Sequence, residues 1–270
     1  MAGPEAALLQ TGRLDALARQ DTPVHRLDPR AKVLTTACFI VAVVSFDKYA
    51  VAAMTPFFLY PAVLMAAGRV PAGFVLTRLL LVSPFAVLIG VFNPWLDREV
   101  LAQVGPVALT GGWLSFASIL LRFVLTLSAA LLLVATTGFN QVCQALERFR
   151  VPTVFVVQLL LLYRYLFVLA REAWRMLRAF RLRALRDRAV PLRVYGSLVG
   201  LLLLRTLDRA QRVYTAMRCR GFDGTMRLGE ASRFRAADAV FVAGWCAFFV
   251  LARACALPQW LGEAVMKALP

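Results

Sequence analysis

Two arginines beside small residues are the side chains in this sequence best equipped for specific recognition. They lie in Leu182-Arg183-Ala184 and in Cys219-Arg220-Gly221. A guanidinium offers a rigid fork of donors that pairs bidentately with a carboxylate or caps exposed carbonyls. A small neighbour lets a partner's backbone come close. Each triplet closes a stretch with helical periodicity. From Arg171 to Arg188, Ala173, Trp174, Leu177, Phe180 and Ala184 recur at three- and four-residue steps, and arginines fill most of the rest. Pro191 breaks the pattern. From Leu192 to Gly221 a second stripe runs through Leu203, Leu207, Ala210, Tyr214 and Met217, with Arg205, Arg209 and Arg212 on the other face. Gly221 is a natural helix stop. The chemistry expected of two such tips is protein docking. The plainer reading is an interfacial anchor with its apolar face in lipid and its arginines on phosphate.

Other reactive side chains are scarce. His25 is the one histidine, so a transition-metal site built by this chain would lack the usual cluster of His and Cys ligands, and an interfacial or capping role is expected for it. The five cysteines, Cys38, Cys143, Cys219, Cys246 and Cys255, show no CxxC pair and read as small buried hydrophobes. No GxxxxGK[ST] pattern occurs, so no ATPase of its own is expected and no catalytic residue is assigned. Asp97 and Glu99 read as solvated loop charges. Arg78, Arg122 and Arg164 read as snorkelling or paired within a bundle, with Arg122 placed deeply enough to warrant mutation.

The elements that must hold these residues are those of a membrane protein. The chain of 270 residues is 60% hydrophobic and 17% charged, with a mean hydropathy of +0.70, against about half and a quarter for soluble domains. Its apolar residues gather in runs near the length that crosses about 30 Å of hydrocarbon. The expected organisation is an N-terminal segment at 1–30, four transmembrane helices within 31–137, a module of long amphipathic helices at 138–236, a last transmembrane helix at 237–257 and a tail at 258–270. The fold class is therefore all-α, with about five transmembrane helices plus this module. Asp28 can cap the first span, Pro29 suits its first position, and Arg30 and Lys32 can snorkel to head groups. The N-terminus lacks the charged-then-apolar order of a cleaved signal peptide.

The net charge of +16 would suggest nucleic acid for a soluble chain, but in a membrane protein it reports cytoplasmic loops. Residues 138–236 hold 19 of the 31 basic residues and six acidic ones. With that block and the N-terminus both cytoplasmic, four spans precede the block and one follows. Anionic lipid is the natural counter-charge, and nucleic acid is not expected as a partner. Val151 to Ala170 is long enough for a span, but Gln158 and Arg164 in its middle favour a helix beneath or partly within the inner leaflet.

Four pieces then resemble a known family: His25 to Lys32 (HRLDPRAK), Ser128 to Phe139 (SAALLLVATTGF), Gln158 to Leu169 (QLLLLYRYLFVL) and Ala216 to Gly224 (AMRCRGFDG). Together they look like the CbiQ-type transmembrane (T) component of energy-coupling-factor transporters, which import cobalt or nickel ions. The resemblance runs from about His25 to Gly224, plus the final span. It implies an X-Arg-X motif at the end of each of two coupling helices, matched by Leu182-Arg183-Ala184 and Cys219-Arg220-Gly221. The first motif commonly ends in Ser or Gly and the second commonly begins with Ala; Ala184 and Cys219 are departures that stay small. Each motif would sit on one of two ATP-binding cassette ATPase subunits, which would carry the ATP and Mg. A substrate-binding membrane subunit for cobalt or nickel would be the third partner, in a bacterial inner membrane. The alternatives are a scaffold binding anionic lipid or a cytosolic protein, and a self-sufficient carrier, which the lack of intramembrane carboxylates disfavours.

Overall fold

The computed structural model describes residues 17–48, 51–93, 100–104, 107–183, 192–226 and 234–254. Ala184, Pro191, the Asp97 and Glu99 loop and the 258–270 tail lie outside these. The described chain is helical apart from a short antiparallel hairpin pairing Val100–Val104 with Val107–Thr110. It divides into two compact units, one of Leu14–Gly138 with Ser232–Pro270 and the other built on Phe139–Ala231.

In the first unit, α1 (Pro29–Val44) opens as its sequence dictates: Asp28 caps it by accepting from the Arg30 N–H at 2.9 Å, and Pro29 occupies the first position. The second apolar run is split. A 3-10 helix, Ala52–Phe58, contains Pro56 and passes into α2 (Leu59–Ala67), whose first turn holds Pro61. Two missing N–H donors prevent one continuous α ladder. At the end of α2 a Cβ on Gly68 would stand 2.7 Å from the Leu64 carbonyl oxygen, so only glycine fits. Next come α3 (Ala72–Gly90) and α4 (Gly111–Thr137), in close contact where Gly90 leaves room for the Phe116 ring. The unit ends with α8 (Ala236–Ala254).

The second unit holds α5 (Phe139–Arg148), α6 (Thr153–Arg183) and α7 (Leu192–Cys219). Here the structure differs from the sequence reading. The apolar run from Val151 and the arginine-rich stretch from Arg171 are one 31-residue helix. Neither Gly nor Pro interrupts Thr153 to Arg183, so nothing stops the hydrogen-bond ladder. Among the described residues, four helices are long and apolar enough to cross a membrane: α3, α4, α6 and α8. The chain is a multi-pass membrane protein. Among the five expected spans, the first two form shorter helices, while α6, expected beneath the leaflet, meets the length and composition of a span.

Antiparallel packing of α1 on α4 fixes the first unit. Lys32, 2% exposed, donates from Nζ to the Thr136 carbonyl at the end of α4 at 3.0 Å. At the other end Arg122 of α4 donates from Nη2 to the carbonyls of Phe46 (2.6 Å) and Asp47 (2.8 Å), just past the end of α1. Each helix thus meets the other's C-terminal carbonyls with a cation, where the macrodipole is negative. Lys32 was expected to snorkel outward. It turns inward instead because Asp28 and Asp238, 1% and 3% exposed, supply its counter-charge within the bundle. The same finding explains Arg122: it terminates a helix. Arg78 lies over the Phe74 ring, its carbon 5.5 Å from the centroid.

Helix α8 runs parallel to α1. The Asp28 N–H donates to Asp238 Oδ1 at 2.8 Å, and the Phe39 and Phe249 rings meet at 5.4 Å. At the far end Arg253 donates to the carbonyls of Ala42 and Ser45. Between α1, the 3-10 helix, α2 and α8 lies an aromatic core of Phe39, Phe57, Tyr60, Trp245 and Phe249.

Replacing Lys32 with Met removes the buried cation from the neighbourhood of Asp28 and Asp238, at a cost of about 3 kcal/mol. Replacing Arg122 with Met removes an end-cap worth about 1 kcal/mol. Thermal unfolding of the purified protein in detergent should rank the two variants in that order; equal, small shifts would refute the buried-cation account.

Candidate docking helices

The candidate site is the hairpin of α6 and α7. Its two helices are antiparallel, since Leu169 and Glu172 of α6 line a groove with Arg205 and Arg209, while Phe180 and Arg183 share one with Leu198. Glu172 is the polar centre of the crossing. It accepts from Arg175 on its own helix and from Arg205 Nη1 of α7 at 2.8 Å. Below it Met176 is buried, and Trp174 and Leu177 of α6 face Tyr195, Leu198 and Leu202 of α7. The α6 stripe therefore packs on its neighbour as its periodicity predicts.

The α7 stripe does not. Leu203, Leu207 and Tyr214 are exposed, whereas Arg205, Arg209 and Arg212 line the groove shared with α6. No described residue of α7 is buried. The reversal follows from Glu172, one acidic side chain among the arginines of α6, which draws the basic face of α7 toward it. Charge sets the orientation and leaves the apolar face uncovered. The signal was present in the sequence, as the one carboxylate between Arg171 and Arg183, but its partner 33 positions on could not be read from helical spacing.

The described residues of both tips are exposed. Leu182, 80% exposed, and Arg183 end α6; Ala184 lies outside the described residues. Cys219 is the last residue of α7, followed by Arg220 and Gly221, all three exposed. The second tip has a defined stop. The Phe222 N–H donates to the Met217 carbonyl and the Gly221 N–H to the Arg218 carbonyl, both at 3.0 Å, with Gly221 at φ +80°. This is the paired 6→1 and 5→2 closure of a Schellman end. Asp223 then accepts from the Thr225 N–H and hydroxyl, Gly224 turns the chain at φ +91°, and Met226 packs against Cys143, Val156 and Leu160. The AMRCRGFDG stretch is thus a closed turn that presents Arg220. Burial pushes the Cys143 thiol up to about 11.

The two tips are far apart. In an antiparallel pair, the end of α6 lies beside the start of α7, so Arg183 and Arg220 are separated by about the length of α7. Its 28 residues span about 40 Å. Among the described residues neither arginine meets a carboxylate. A fork at each end of one rigid hairpin can engage two separate acceptors, and one acceptor cannot reach both.

His25 is occupied elsewhere. Its Nε2–H donates to the Leu17 carbonyl at 3.0 Å and its Nδ1 pairs with the Thr22 hydroxyl at 2.7 Å. Burial, then the charge of Lys32, hold its pKa below the ordinary value. Among the described residues no three His, Cys, Asp or Glu side chains are gathered for a metal ion.

Comparison with known proteins gives this geometry a lineage. Residues 20–230 match the family model described as CbiQ, cobalt transport protein. The cobalt transport protein CbiQ of Rhodobacter capsulatus is 39% identical over 99 residues, 36% of this chain and 40% of that protein. The nickel permease LarQ of Lactiplantibacillus plantarum is 29% identical over 167 residues, 54% of this chain and 59% of its own. An uncharacterized protein of Methanocaldococcus jannaschii, MJ1571, is 25% identical over 159 residues, 58% and 54% of the two chains. The chain spans about half the length of these curated relatives. The family match covers both helix ends of the hairpin and the Asp28–Lys32 start of α1, and on that match the chain belongs to the CbiQ cobalt transport protein family.

Proposed function

We propose that this chain is the coupling subunit of an ATP-driven importer for cobalt or nickel ions. The observation that carries the reading is the pair of exposed arginine tips held at opposite ends of one hairpin, in a chain of this family. Two ATPase subunits, each with bound ATP and Mg, would take one tip apiece. Their closure would draw the tips together, and the hairpin would pass that motion to a substrate-binding membrane subunit. Coupling requires each partner to bind one conformation better than the other. The exposed apolar face of α7, with Leu203, Leu207 and Tyr214, supplies surface that such a contact would bury. Cobalt and nickel follow from what the relatives are named for. The excess of arginine in residues 138–236 supports a cytoplasmic place for that block and the N-terminus, in the inner membrane of a bacterium, with anionic lipid around its rim.

A second reading, a membrane scaffold that binds anionic lipid or a cytosolic protein without transport, draws on the same exposed apolar face and arginines. The two readings part on geometry. A lipid phosphate accepts Lys nearly as well as Arg, whereas a bidentate partner does not.

In the coupling reading, Arg183→Glu and Arg220→Glu abolish metal uptake by cells and ATPase co-purification, while the protein still inserts; retained uptake in the double variant would remove the assignment. Arg183→Lys and Arg220→Lys each weaken ATPase binding about tenfold, the worth of one charge-assisted bond; unchanged binding favours the scaffold. Gly221→Val breaks the left-handed helix stop, whereas Gly221→Asn keeps it. Loss of binding in both, with helix content unchanged in the Asn variant by circular dichroism, would show that the partner needs the small residue itself.

A further inference from the structure

The hairpin holds a cleft that the docking tips do not use. It opens between α6 and α7, wholly within the second unit, and encloses about 250 Å³. That is less than the roughly 300–1,000 Å³ of a site that engulfs a drug-sized ligand, so it suits a small polar group whose remainder stays outside. One wall is apolar, from Val168 and Leu169 of α6. The rest is charged, with Glu172 of α6 facing Arg205, Asp208, Arg209 and Arg212 of α7. The change of wall follows the sequence of α6. Thr153 to Ala170 carries one charge, on Arg164, whereas Arg171 to Arg183 carries five arginines and Glu172.

The charges in the cleft do not satisfy one another. Glu172 pairs with Arg205 at 2.8 Å and with Arg175 of its own helix. Asp208 stands three residues after Arg205 and four before Arg212, spacings at which helical side chains can pair. Glu172 has drawn Arg205 away, and among the described residues Asp208, Arg209 and Arg212 form no ion pair. Two unclaimed guanidiniums and one unclaimed carboxylate therefore line one small space. A simple anion there would leave Asp208 beside a like charge, and a simple cation would do the same to the arginines. A group that answers all three carries both signs a short bridge apart.

We propose that this cleft binds the phosphoethanolamine head group of a membrane phospholipid. Arg209 and Arg212 donate to the phosphate oxygens, which suit the guanidinium fork, and Asp208 accepts from the primary ammonium. Val168 and Leu169 meet the first methylenes beyond the phosphate. A choline head group has no N–H to offer Asp208, and a glycerol head group has no cation, although both carry the same phosphate. The general attraction of a basic segment to anionic lipid follows net charge and would rank these head groups differently. The site lies between the tips and stands apart from the coupling reading, since Arg183 and Arg220 line none of it.

The test titrates the full chain in detergent with phosphatidylethanolamine, phosphatidylglycerol and phosphatidylcholine of identical acyl chains, read by native mass spectrometry. Phosphatidylethanolamine should bind about tenfold tighter than either of the others, the worth of one charged hydrogen bond. Asp208→Asn should abolish that preference without weakening phosphatidylglycerol. Arg209→Gln together with Arg212→Gln should lower phosphatidylethanolamine binding by about tenfold or more, with helix content unchanged by circular dichroism. Equal binding of the three lipids by the wild type, or tighter binding of phosphatidylglycerol, overturns the proposal, as does an unchanged preference in Asp208→Asn. Free phosphoethanolamine carries the same two charges and forms the last arm. Weaker binding than the lipid supports a membrane ligand, and equal binding assigns the cleft to a soluble ester and overturns the lipid assignment. The wild-type ranking decides even where a variant fails to fold.

Discussion

The first unit rests on an exchange of cations between antiparallel helices. Lys32 of α1 meets the last carbonyls of α4, and Arg122 of α4 meets the carbonyls just beyond α1. In a bilayer the final carbonyls of a helix have no intrahelical donor and little water to replace one. A partner helix that brings its own cation to that spot resolves both problems, and it sets register and direction at once. Arg253 repeats the device from α8, donating to Ala42 and Ser45 and lying 4.9 Å over the Phe46 ring. Three helices are thereby fixed relative to one another before apolar packing contributes. The core of Phe39, Phe57, Tyr60 and Phe249 then fills a frame whose ends are already tied.

The second unit is ordered by the opposite logic. Its hairpin turns on Glu172, a single carboxylate shared between arginines of two helices, and the charge pairing overrides the apolar pattern of α7. At the exposed surface such pairs contribute little stability each. Their effect here is on orientation: they decide which face of α7 is left outward. Stability of the hairpin comes from Met176 and the side chains around it, and from the small cluster of Cys143, Val156 and Leu160.

What was legible in the sequence was local. Asp28-Pro29 predicts a helix start and Gly221 predicts a helix stop, because capping chemistry acts within a few residues. Arg183 closes α6 and Cys219 closes α7. What could not be read depended on residues distant in sequence. Lys32 turns inward because of Asp238, some two hundred positions away; the α7 stripe turns outward because of Glu172; and the α6 ladder runs on past Ala170 because no breaker stands there. A composition boundary between apolar and basic stretches had suggested two elements, but composition does not end a helix.

The uncovered face of α7 has a consequence for the life of the chain before it meets anything else. A long amphipathic helix held only along one edge stays open to fraying and to proteases that select unprotected backbone. An occupant of that face, once bound, would close the unprotected edge along the length of the helix.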